Sequence, residues 1–215
     1  MKFNKKSLGT LFAIALGFAL SSAANANLVV NGSFEAPDIP DNTWSPEDPG
    51  NVPGWLADPD TIEIWDGLNG VASAEGEQHA ELNSHNGHGP FNLWQSIATT
   101  AGQQYTFSFA YSARNVNGNE QFSASLFDGN ITTIGGFTSA TSIYNSGTVN
   151  NNSGTWTYLT VGFTALTNST TLAFKSINPN GTVGNFIDDV SVVSAPATLA
   201  LFGLALTGFF ATRRK

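Results

Sequence analysis

Two carboxylates in the first half of the chain are of the residue type that glycoside hydrolysis needs. Glu63 lies in the run Thr61-Ile-Glu-Ile-Trp65, and Glu81 lies in the run Gly76-Glu-Gln-His-Ala-Glu-Leu-Asn83. Glycosidases use two such groups about 5 to 10 Å apart, one as the acid and the other as base or nucleophile. The absence of cysteine excludes a thiol nucleophile, and no Gly-x-Ser-x-Gly motif occurs. The alternative for this carboxylate pair is a polar patch on an acidic surface, and we predict that the protein is not an enzyme.

Histidine is concentrated in one short region, where His79, His85 and His88 fall within ten residues and Glu77 and Glu81 lie beside them. Imidazole and carboxylate groups together are ligands for zinc and copper, so a transition-metal site is one interpretation. The spacing fits no helical metal motif, and His85 and His88 lie within the glycine-rich loop Ser84 to Pro90. We favour ordinary loop histidines over a metal site.

The tryptophan content suggests a binding function instead. The chain has five tryptophans, and the apolar face of a sugar ring packs on indole while amides, carboxylates and guanidinium groups bind its hydroxyls. Trp94 and Trp156 lie in strand-like runs and are predicted to be core, whereas Trp44 and Trp55 are predicted to be exposed. A salt bridge is the alternative role for Arg114. The candidate sugar-binding residues are Trp65, Glu81, Asn83, Gln95 and Arg114.

Charge is distributed very unevenly along the chain. The net charge of the whole sequence is −8, yet all sixteen acidic residues and only two basic ones, Arg114 and Lys175, lie between residues 27 and 195, which gives this region a charge of −14. Nucleic acid is an unsuitable partner, because binding to phosphates requires clustered Lys and Arg. A calcium ion is a better match for so acidic a domain.

Period-two alternation predicts how these side chains are positioned. From Gln104 to Tyr111, aromatic residues occupy every second position and small or polar residues the others, as in a half-buried strand. Similar runs occur at 122–126, 157–163 and 186–193, with Asn-Gly and Gly-Gly turn signals between runs. These features predict an all-β, antiparallel β-sandwich of one domain. The segment 37–59 carries six prolines and is predicted to be a long loop.

The N-terminus has the layout of a secretory signal peptide. Three lysines precede an apolar stretch at 8–20, and Ala24-Asn-Ala26 then supplies small residues of the type that signal peptidase requires. We therefore predict a signal peptide at 1–26, and a mature domain that begins at Asn27 and ends at Val193.

The C-terminus predicts a second membrane-directed segment. Residues 197–212 are apolar, and Arg213, Arg214 and Lys215 follow at once. Such a segment is short for a bilayer span, and the basic end stays on the cytoplasmic side. We expect a protein of the cell envelope or the extracellular space, anchored transiently or permanently by a transmembrane helix at 197–212.

Two segments of the mature domain resemble a known family. Leu28-Val-Val-Asn-Gly-Ser-Phe-Glu35 and Asn185-Phe-Ile-Asp-Asp-Val-Ser-Val-Val193 resemble the first and last strands of galactose-binding-like jelly rolls, a group that includes many carbohydrate-binding modules. The resemblance implies a jelly-roll sandwich with a structural calcium ion. Its ligands would be Glu35 and Asp188, with Asp189 as the alternate, because adjacent strand residues face opposite sides. The other interpretation is that these acids are solvated turn and strand-end residues.

The tail resembles the PEP-CTERM sorting signal, in which a Pro-Glu-Pro-like motif precedes an apolar helix and a basic end. Ala195 and Pro196 stand at the motif, and Ala195 replaces the usual glutamate. The resemblance implies sorting of residues 194–215 by an exosortase-type processing enzyme. Together these features predict an exported, non-catalytic β-sandwich that binds glycan, with extracellular polysaccharide as a partner. A structural or adhesive matrix protein is the alternative, and a secreted glycoside hydrolase is a third.

Overall fold

The computed structural model describes residues 26–59, 61–83, 91–115, 120–150, 154–177 and 182–195. These residues form two antiparallel β-sheets with three short 3-10 turns, which confirms the predicted all-β sandwich. The predicted signal peptide and the apolar segment 197–212 lie outside the described residues. Within the described ranges, no helix has the length and apolar character needed to cross a membrane.

The first sheet carries most of the residues of interest and has the strand order β1-β3-β4-β12-β6-β10. Every pairing in it is antiparallel. Its strands are β1 (Thr43–Glu47), β3 (Ile62–Asp66), β4 (Gln78–Glu81), β6 (Gln104–Ala113), β10 (Thr157–Thr164) and β12 (Asn185–Ser194). The chain's last strand therefore lies in the middle of the sheet, between β4 and β6.

The second sheet covers one face of the first and has the order β2-β5-β11-β7-β8, with β9 also paired to β7. Its strands are β2 (Leu56–Asp58), β5 (Asn92–Ala98), β7 (Gln121–Asp128), β8 (Ser142–Asn145), β9 (Val149–Asn150) and β11 (Ser169–Ser176). The 3-10 turns are Pro49–Asn51, Leu68–Gly70 and Ile134–Thr138.

Aromatic side chains fill the space between the sheets. Phe107 and Phe109 from β6 meet Phe174 from β11 at ring-centroid distances of 6.1 and 4.9 Å, and Phe122 packs on Phe109 at 6.1 Å. All four are fully buried, which stabilises the fold by roughly 1.5 to 3 kcal/mol per side chain. The alternating aromatic run at 105–111 therefore faces the core, as its periodicity predicts.

The proline-rich segment differs from its prediction. It contains strands β1 and β2 as well as irregular chain, and β1 pairs with β3 along its whole length. Trp55, predicted to be exposed, is buried: its ring stacks on Phe34 at 4.9 Å, and its Nε1 donates to the carbonyl oxygen of Asn31 at 2.9 Å. The pairing of β1 and the burial of Trp55 both depend on contacts with residues distant in sequence. Local composition could therefore not predict them.

The N-terminal segment runs beside β12 without forming a regular strand of its own. Leu28 N donates to the carbonyl oxygen of Val192 at 2.9 Å, and Val190 N donates to that of Gly32 at 3.0 Å. The side chain of Asn27 also bonds to the backbone of both β12 residues. The predicted neighbourhood of the first and last segments is therefore present, although the first is irregular.

Candidate functional site

The outer face of the first sheet carries an unusual set of buried polar and aromatic side chains. Successive strand residues face opposite sides, and Ile62, Ile64, Ala80 and Leu82 belong to the core between the sheets. The residues that alternate with them therefore face away from the second sheet. These outward-facing residues are Glu63 and Trp65 on β3, and His79 and Glu81 on β4.

Strand register places these side chains in adjacent rows. Glu63 lies opposite Glu81, and Trp65 lies opposite His79. Phe186 on β12 pairs with Glu81 on its other side. We name the following residues the outer-face cluster: Glu63, Trp65, His79, Glu81, Arg114 and Phe186.

Arg114 follows the end of β6 and joins the cluster through its guanidinium group. Its Nη1 lies 3.1 and 3.0 Å from the two carboxylate oxygens of Glu81 and donates to the carbonyl oxygen of Thr182 at 3.0 Å. Oε1 of Glu63 is 3.9 Å from the same nitrogen. The guanidinium carbon also stands 4.7 Å from the centre of the Trp65 ring, within the range of a cation–π contact. The salt-bridge role considered for Arg114 is therefore present.

Glu63 and Glu81 share this arginine across two neighbouring strands. Burial, and then the negative charge of Glu63, raise the pKa of Glu81 well above its ordinary range, against the opposing effects of Arg114 and the Gly184 N–H. Oε1 of Glu63 accepts from Trp65 Nε1 at 2.8 Å, but its Oε2 is buried with no hydrogen-bond partner in the described part of the chain. A proton on Glu81 would provide a hydrogen-bond donor beside Glu63, and a hydrogen bond between the two side chains is one of the causes that raise the pKa of Glu81. The geometry favours a carboxyl–carboxylate pair that shares one proton.

His79 is an uncharged side chain whose ring packs against other aromatic rings of the outer face. Its side chain is fully buried, and this burial lowers its pKa to about 3. The ring lies 4.5 Å from Phe186 and 5.4 Å from Trp156, with Ser73 Oγ 2.9 Å from its Nδ1. Trp156 therefore covers the outer-face cluster. The prediction that Trp156 belongs to the core between the sheets, which came from its strand-like surroundings, is wrong. His85 and His88 lie outside the described residues.

Trp65 has no open face on which a sugar could stack. It is only 2% exposed, and Arg114 already occupies one side of its ring. Asn83 lies two residues beyond Glu81, where its Nδ2 donates to the carbonyl oxygen of Val183 at 2.9 Å. The structure thus brings Trp65, Glu81, Asn83 and Arg114 into one region.

Gln95 is not brought to that region. It lies on β5 in the second sheet, where its Oε1 accepts from Val30 N at 2.7 Å and its Nε2 donates to the Val30 carbonyl oxygen at 2.9 Å. Both amide atoms are used to hold the N-terminal segment. Its position supports a structural role in the fold.

Two exposed aromatic residues occupy the same outer face at opposite edges of the sheet. Trp44 on β1 is opposite Trp65 and is 42% exposed, as predicted for this tryptophan. Tyr158 on β10 is opposite Ala110 and is 53% exposed. Five strand spacings separate β1 from β10, which corresponds to about 24 Å. Sequence reasoning missed Tyr158, although it alternates with the inward-facing Leu159 in a recognised strand run.

The two acids assigned to calcium hold one loop from two directions. Oε1 of Glu35 accepts two backbone N–H groups of loop 74–78, each at 2.9 Å. Oδ2 of Asp188 accepts two others of the same loop, at 2.7 and 3.0 Å. Asp189 points away, at a bulge in β12 where its φ is 45°, and accepts from the Tyr158 hydroxyl at 3.0 Å. The structure therefore associates Glu35 with Asp188, and separates Asp189 from them.

The residues present suit a calcium ion in their chemistry. Asp188 is fully buried with no ion-pair partner among the described residues, and burial raises its pKa to about 7. Gly76 lets the Glu35 carboxylate approach the backbone of the loop closely, because a Cβ at this position would lie 2.2 Å from Glu35 Oε1. Carboxylate and carbonyl oxygens are the ligands that calcium prefers. No group of three or more His, Asp or Glu side chains in the described ranges is arranged to hold a metal, so backbone oxygens would have to complete such a site.

A separate acidic cavity lies beside the same loop. Its volume is about 300 Å³, and its lining includes Asp41, Asp66, Glu77 and Ser73. Burial, followed by the charges of Asp41 and Glu77, raises the pKa of Asp66. The cavity is small and negatively charged, which makes it unsuitable for an anionic ligand.

Comparison with known proteins identifies the fold. No family model matches the sequence, and no curated protein matches it. Among solved structures, the chain is similar to the module TmCBM61 in complex with β-1,4-galactotriose, with a TM-score of 0.51, 16% identity, and coverage of 79% of this chain and 99% of that one. It is also similar to part of the arabinose-bound α-L-arabinofuranosidase MgGH51, with a TM-score of 0.54, 9% identity, and coverage of 79% and 26%. These similarities agree with a jelly-roll type of β-sandwich.

Proposed function

We propose that this protein is an exported, non-catalytic β-sandwich that binds a glycan on the outer face of its first sheet. The observation that carries the proposal is the placement of two exposed aromatic rings, Trp44 and Tyr158, at opposite edges of one sheet face. Exposed aromatic rings in a β-sandwich of this fold are suited to stacking against sugars. TmCBM61, of similar fold, was solved with β-1,4-galactotriose, which supports the same ligand class here.

The surface next to Tyr158 supplies the polar groups that a sugar requires. Thr160 on β10 and Ser108 on β6 are opposite each other on the same face, with their hydroxyls 3.3 Å apart. Arg114, whose side chain is 32% exposed, is the cluster member that can reach a ligand. Trp65 and Glu81 hold the guanidinium group of Arg114 in place, and Asn83 lies two residues beyond Glu81.

The buried carboxylate pair argues against glycoside hydrolysis. Glu63 and Glu81 are both buried, and Arg114 is bonded to the carboxylate of Glu81. A glycoside hydrolase needs space for a sugar between its two carboxyl groups, and an inverting enzyme also needs space for a water molecule. The position of Arg114 leaves the pair a structural role, which favours a binding protein over a hydrolase.

Export, sorting and calcium binding complete the proposal. The sequence of the two ends supports secretion through the signal peptide at 1–26 and sorting of residues 194–215 by an exosortase-type enzyme. In the described part of this tail, Ala195 remains attached to the sheet, with its N–H donating to the carbonyl oxygen of Gln104 at 2.9 Å. A calcium ion held by Glu35 and Asp188 would stabilise loop 74–78 against β12.

A glycan array followed by calorimetry tests the binding function. We expect Trp44→Ala and Tyr158→Ala each to weaken binding about tenfold, because the loss of one stacking contact is worth about 1.4 kcal/mol. Leu166→Ala is the matched control, since Leu166 is 52% exposed but lies beyond the end of β10. An array without any bound glycan would contradict the proposal and favour a structural or adhesive matrix protein without a defined ligand.

A further inference from the structure

Edge strands are the places where a β-sandwich can pair with another chain. Each exposes unpaired backbone N–H and C=O groups along its outer side, and natural proteins protect such edges with short length, charge, proline or bulges. In the described part of this chain, the first sheet ends at β1 and β10, and the second ends at β2 and, beyond β7, at β8 with the two-residue β9. These four edges are protected to very different degrees.

Three of the edges carry protective features. Strand β1 has five residues and contains both Pro46 and Glu47. Strand β2 has three residues, and Pro59 follows it directly after Asp58. Strand β8 has four residues and pairs irregularly with β7, with a register shift at Leu126. Each is a poor template for a further strand.

The fourth edge, β10, has none of these features. It spans eight residues, TYLTVGFT, with no charged residue and no proline. It pairs with β6 in unbroken register from Thr157 to Thr164. Most of its residues are β-branched or aromatic, the types that favour extended strands. Tyr158 and Leu166 add exposed apolar area within and just beyond it.

We propose that the β10 edge pairs with the β10 edge of a second copy of this chain. Antiparallel pairing about a two-fold axis would join two six-stranded sheets into one continuous sheet. The joined sheet would then end in two β1 edges, each protected by Pro46 and Glu47. Such an assembly closes as a dimer and does not extend into a fibre.

Charge favours a second copy at the β10 edge over the β1 and β2 edges, while β8 is disfavoured by its short length and irregular pairing. The region 27–195 carries a net charge of −14, so two copies repel each other in most orientations. Strands β1 and β2 contain the acids Glu47 and Asp58, whereas β10 contains none. Docking through β10 brings together two uncharged strands, and added salt screens the remaining repulsion. The dimer is therefore expected to strengthen as ionic strength rises.

The size of the edge limits the strength of the contact. Eight residues of strand extend about 27 Å, and a single strip of this length falls at or below the roughly 1,200 Å² of a stable interface. We expect a reversible dimer with a dissociation constant in the micromolar range or weaker. Concentration dependence is thus part of the test.

Sedimentation equilibrium on the full chain tests this proposal. We expect Thr160→Lys to weaken the dimer at least tenfold, because Thr160 is exposed at the centre of β10 and its replacement places two like charges near the two-fold axis. Leu56→Lys is the matched control: it adds the same charge at the exposed edge strand β2 and retains both chain ends. The difference between the two variants removes any association caused by the apolar termini.

Cysteine cross-linking provides an independent measurement. The chain has no cysteine, so Thr160→Cys and Leu56→Cys each introduce a unique thiol. We expect covalent dimers of Thr160→Cys under mild oxidation and essentially none of Leu56→Cys. Equal association of the two lysine variants, or equal cross-linking of the two cysteine variants, would overturn the proposal. Circular dichroism confirms folding, and Tyr158→Lys replaces Thr160→Lys if the latter is unfolded.

Discussion

Arg114 determines the chemical state of the outer-face cluster, because it is the cation that contacts both buried glutamates. Its two contacts with Glu81 and its stacking on Trp65 join the end of β6 to side chains of β4 and β3. If Glu63 and Glu81 were both ionised, the single charge of Arg114 would leave one buried negative charge without a partner. A proton on one of the two carboxylates removes this unfavourable charge. The buried Oε2 of Glu63, which has no partner among the described residues, is the acceptor expected for a proton on Glu81.

The pH dependence of the free energy of unfolding tests whether Glu63 and Glu81 share a proton. Since the folded-state pKa of Glu81 is raised, its contribution to the free energy of unfolding is full below the ordinary glutamate pKa of 4.5 and is lost as pH rises through the folded-state value. We expect Glu81→Gln, whose amide can still donate to Glu63, to remove this loss of stability with rising pH, for which one proton allows a slope of at most about 1.4 kcal/mol per pH unit. Urea denaturation from about pH 5 to about pH 8 supplies the slopes.

Asp48→Asn is the control for that series, because Asp48 is exposed and lies outside the cluster. Its slope should match that of the unmodified protein. If Glu81→Gln also keeps the original slope, the two glutamates do not share a proton.

Residue types indicated part of this site before its geometry was known. Trp65, Glu81 and Arg114 stand out by type, and the structure brings them together. Their burial could not be predicted, because it depends on the register that places Glu63 opposite Glu81 and on Trp156 arriving from another strand. Glu63 was considered only as half of a catalytic pair, since nothing local reveals its unpaired oxygen.

At the scale of strands and loops, Gly184 is the tightest position near the cluster. A Cβ at this residue would stand 1.6 Å from the carbonyl oxygen of Leu82, whereas a Cβ at Gly162 would come no closer than 3.9 Å to Tyr105. Gly184 N also donates to Glu81 Oε1 at 2.7 Å. The start of β12 therefore cannot move outward without disturbing the glutamate pair.

We expect Gly184→Ala to lower the free energy of unfolding by about 3 kcal/mol, because the backbone must shift to accept the methyl group. Gly162→Ala is the matched control and should stay within about 0.5 kcal/mol of the unmodified protein. Thermal denaturation of both variants provides the comparison. A loss of similar size in both would show that the close approach at Gly184 is not the cause.

Strand prediction succeeded where periodicity is strong and failed where prolines interrupt it. The alternating aromatic residues of β6 were sufficient to predict both the strand and its buried face. Strand β1 was missed because it contains Pro46, a residue that is compatible with an edge strand but not with a central one. The position of β1 at the edge depends on the order of all the strands in the sheet. It could therefore not be predicted from the sequence of the segment alone.

At the scale of the whole molecule, the proposed calcium ion would connect three distant parts of the chain. Glu35, loop 74–78 and Asp188 are already linked through hydrogen bonds. An ion that binds only the folded state stabilises it by about 2.7 kcal/mol at a concentration one hundred times its dissociation constant. We expect calcium to raise the melting temperature, and a chelator to reverse the effect.

Asp188→Asn should abolish the response to calcium, because it removes the charge of the buried carboxylate. Asp189→Asn is its control and should retain the response, since the Asp189 carboxylate accepts from the Tyr158 hydroxyl, whereas that of Asp188 accepts from loop 74–78. Differential scanning calorimetry with and without calcium distinguishes the two variants. An unchanged melting temperature of the unmodified protein would rule out the ion.

The central position of β12 has a mechanical consequence. A tail attached after Ser194 would transmit any pulling force along the axis of this strand, which is hydrogen-bonded to β6 on one side and to β4 on the other. Such a force loads many hydrogen bonds in shear at the same time, instead of opening them one by one from an edge. A domain bound to a surface through its outer face would therefore resist extraction by drag or flow.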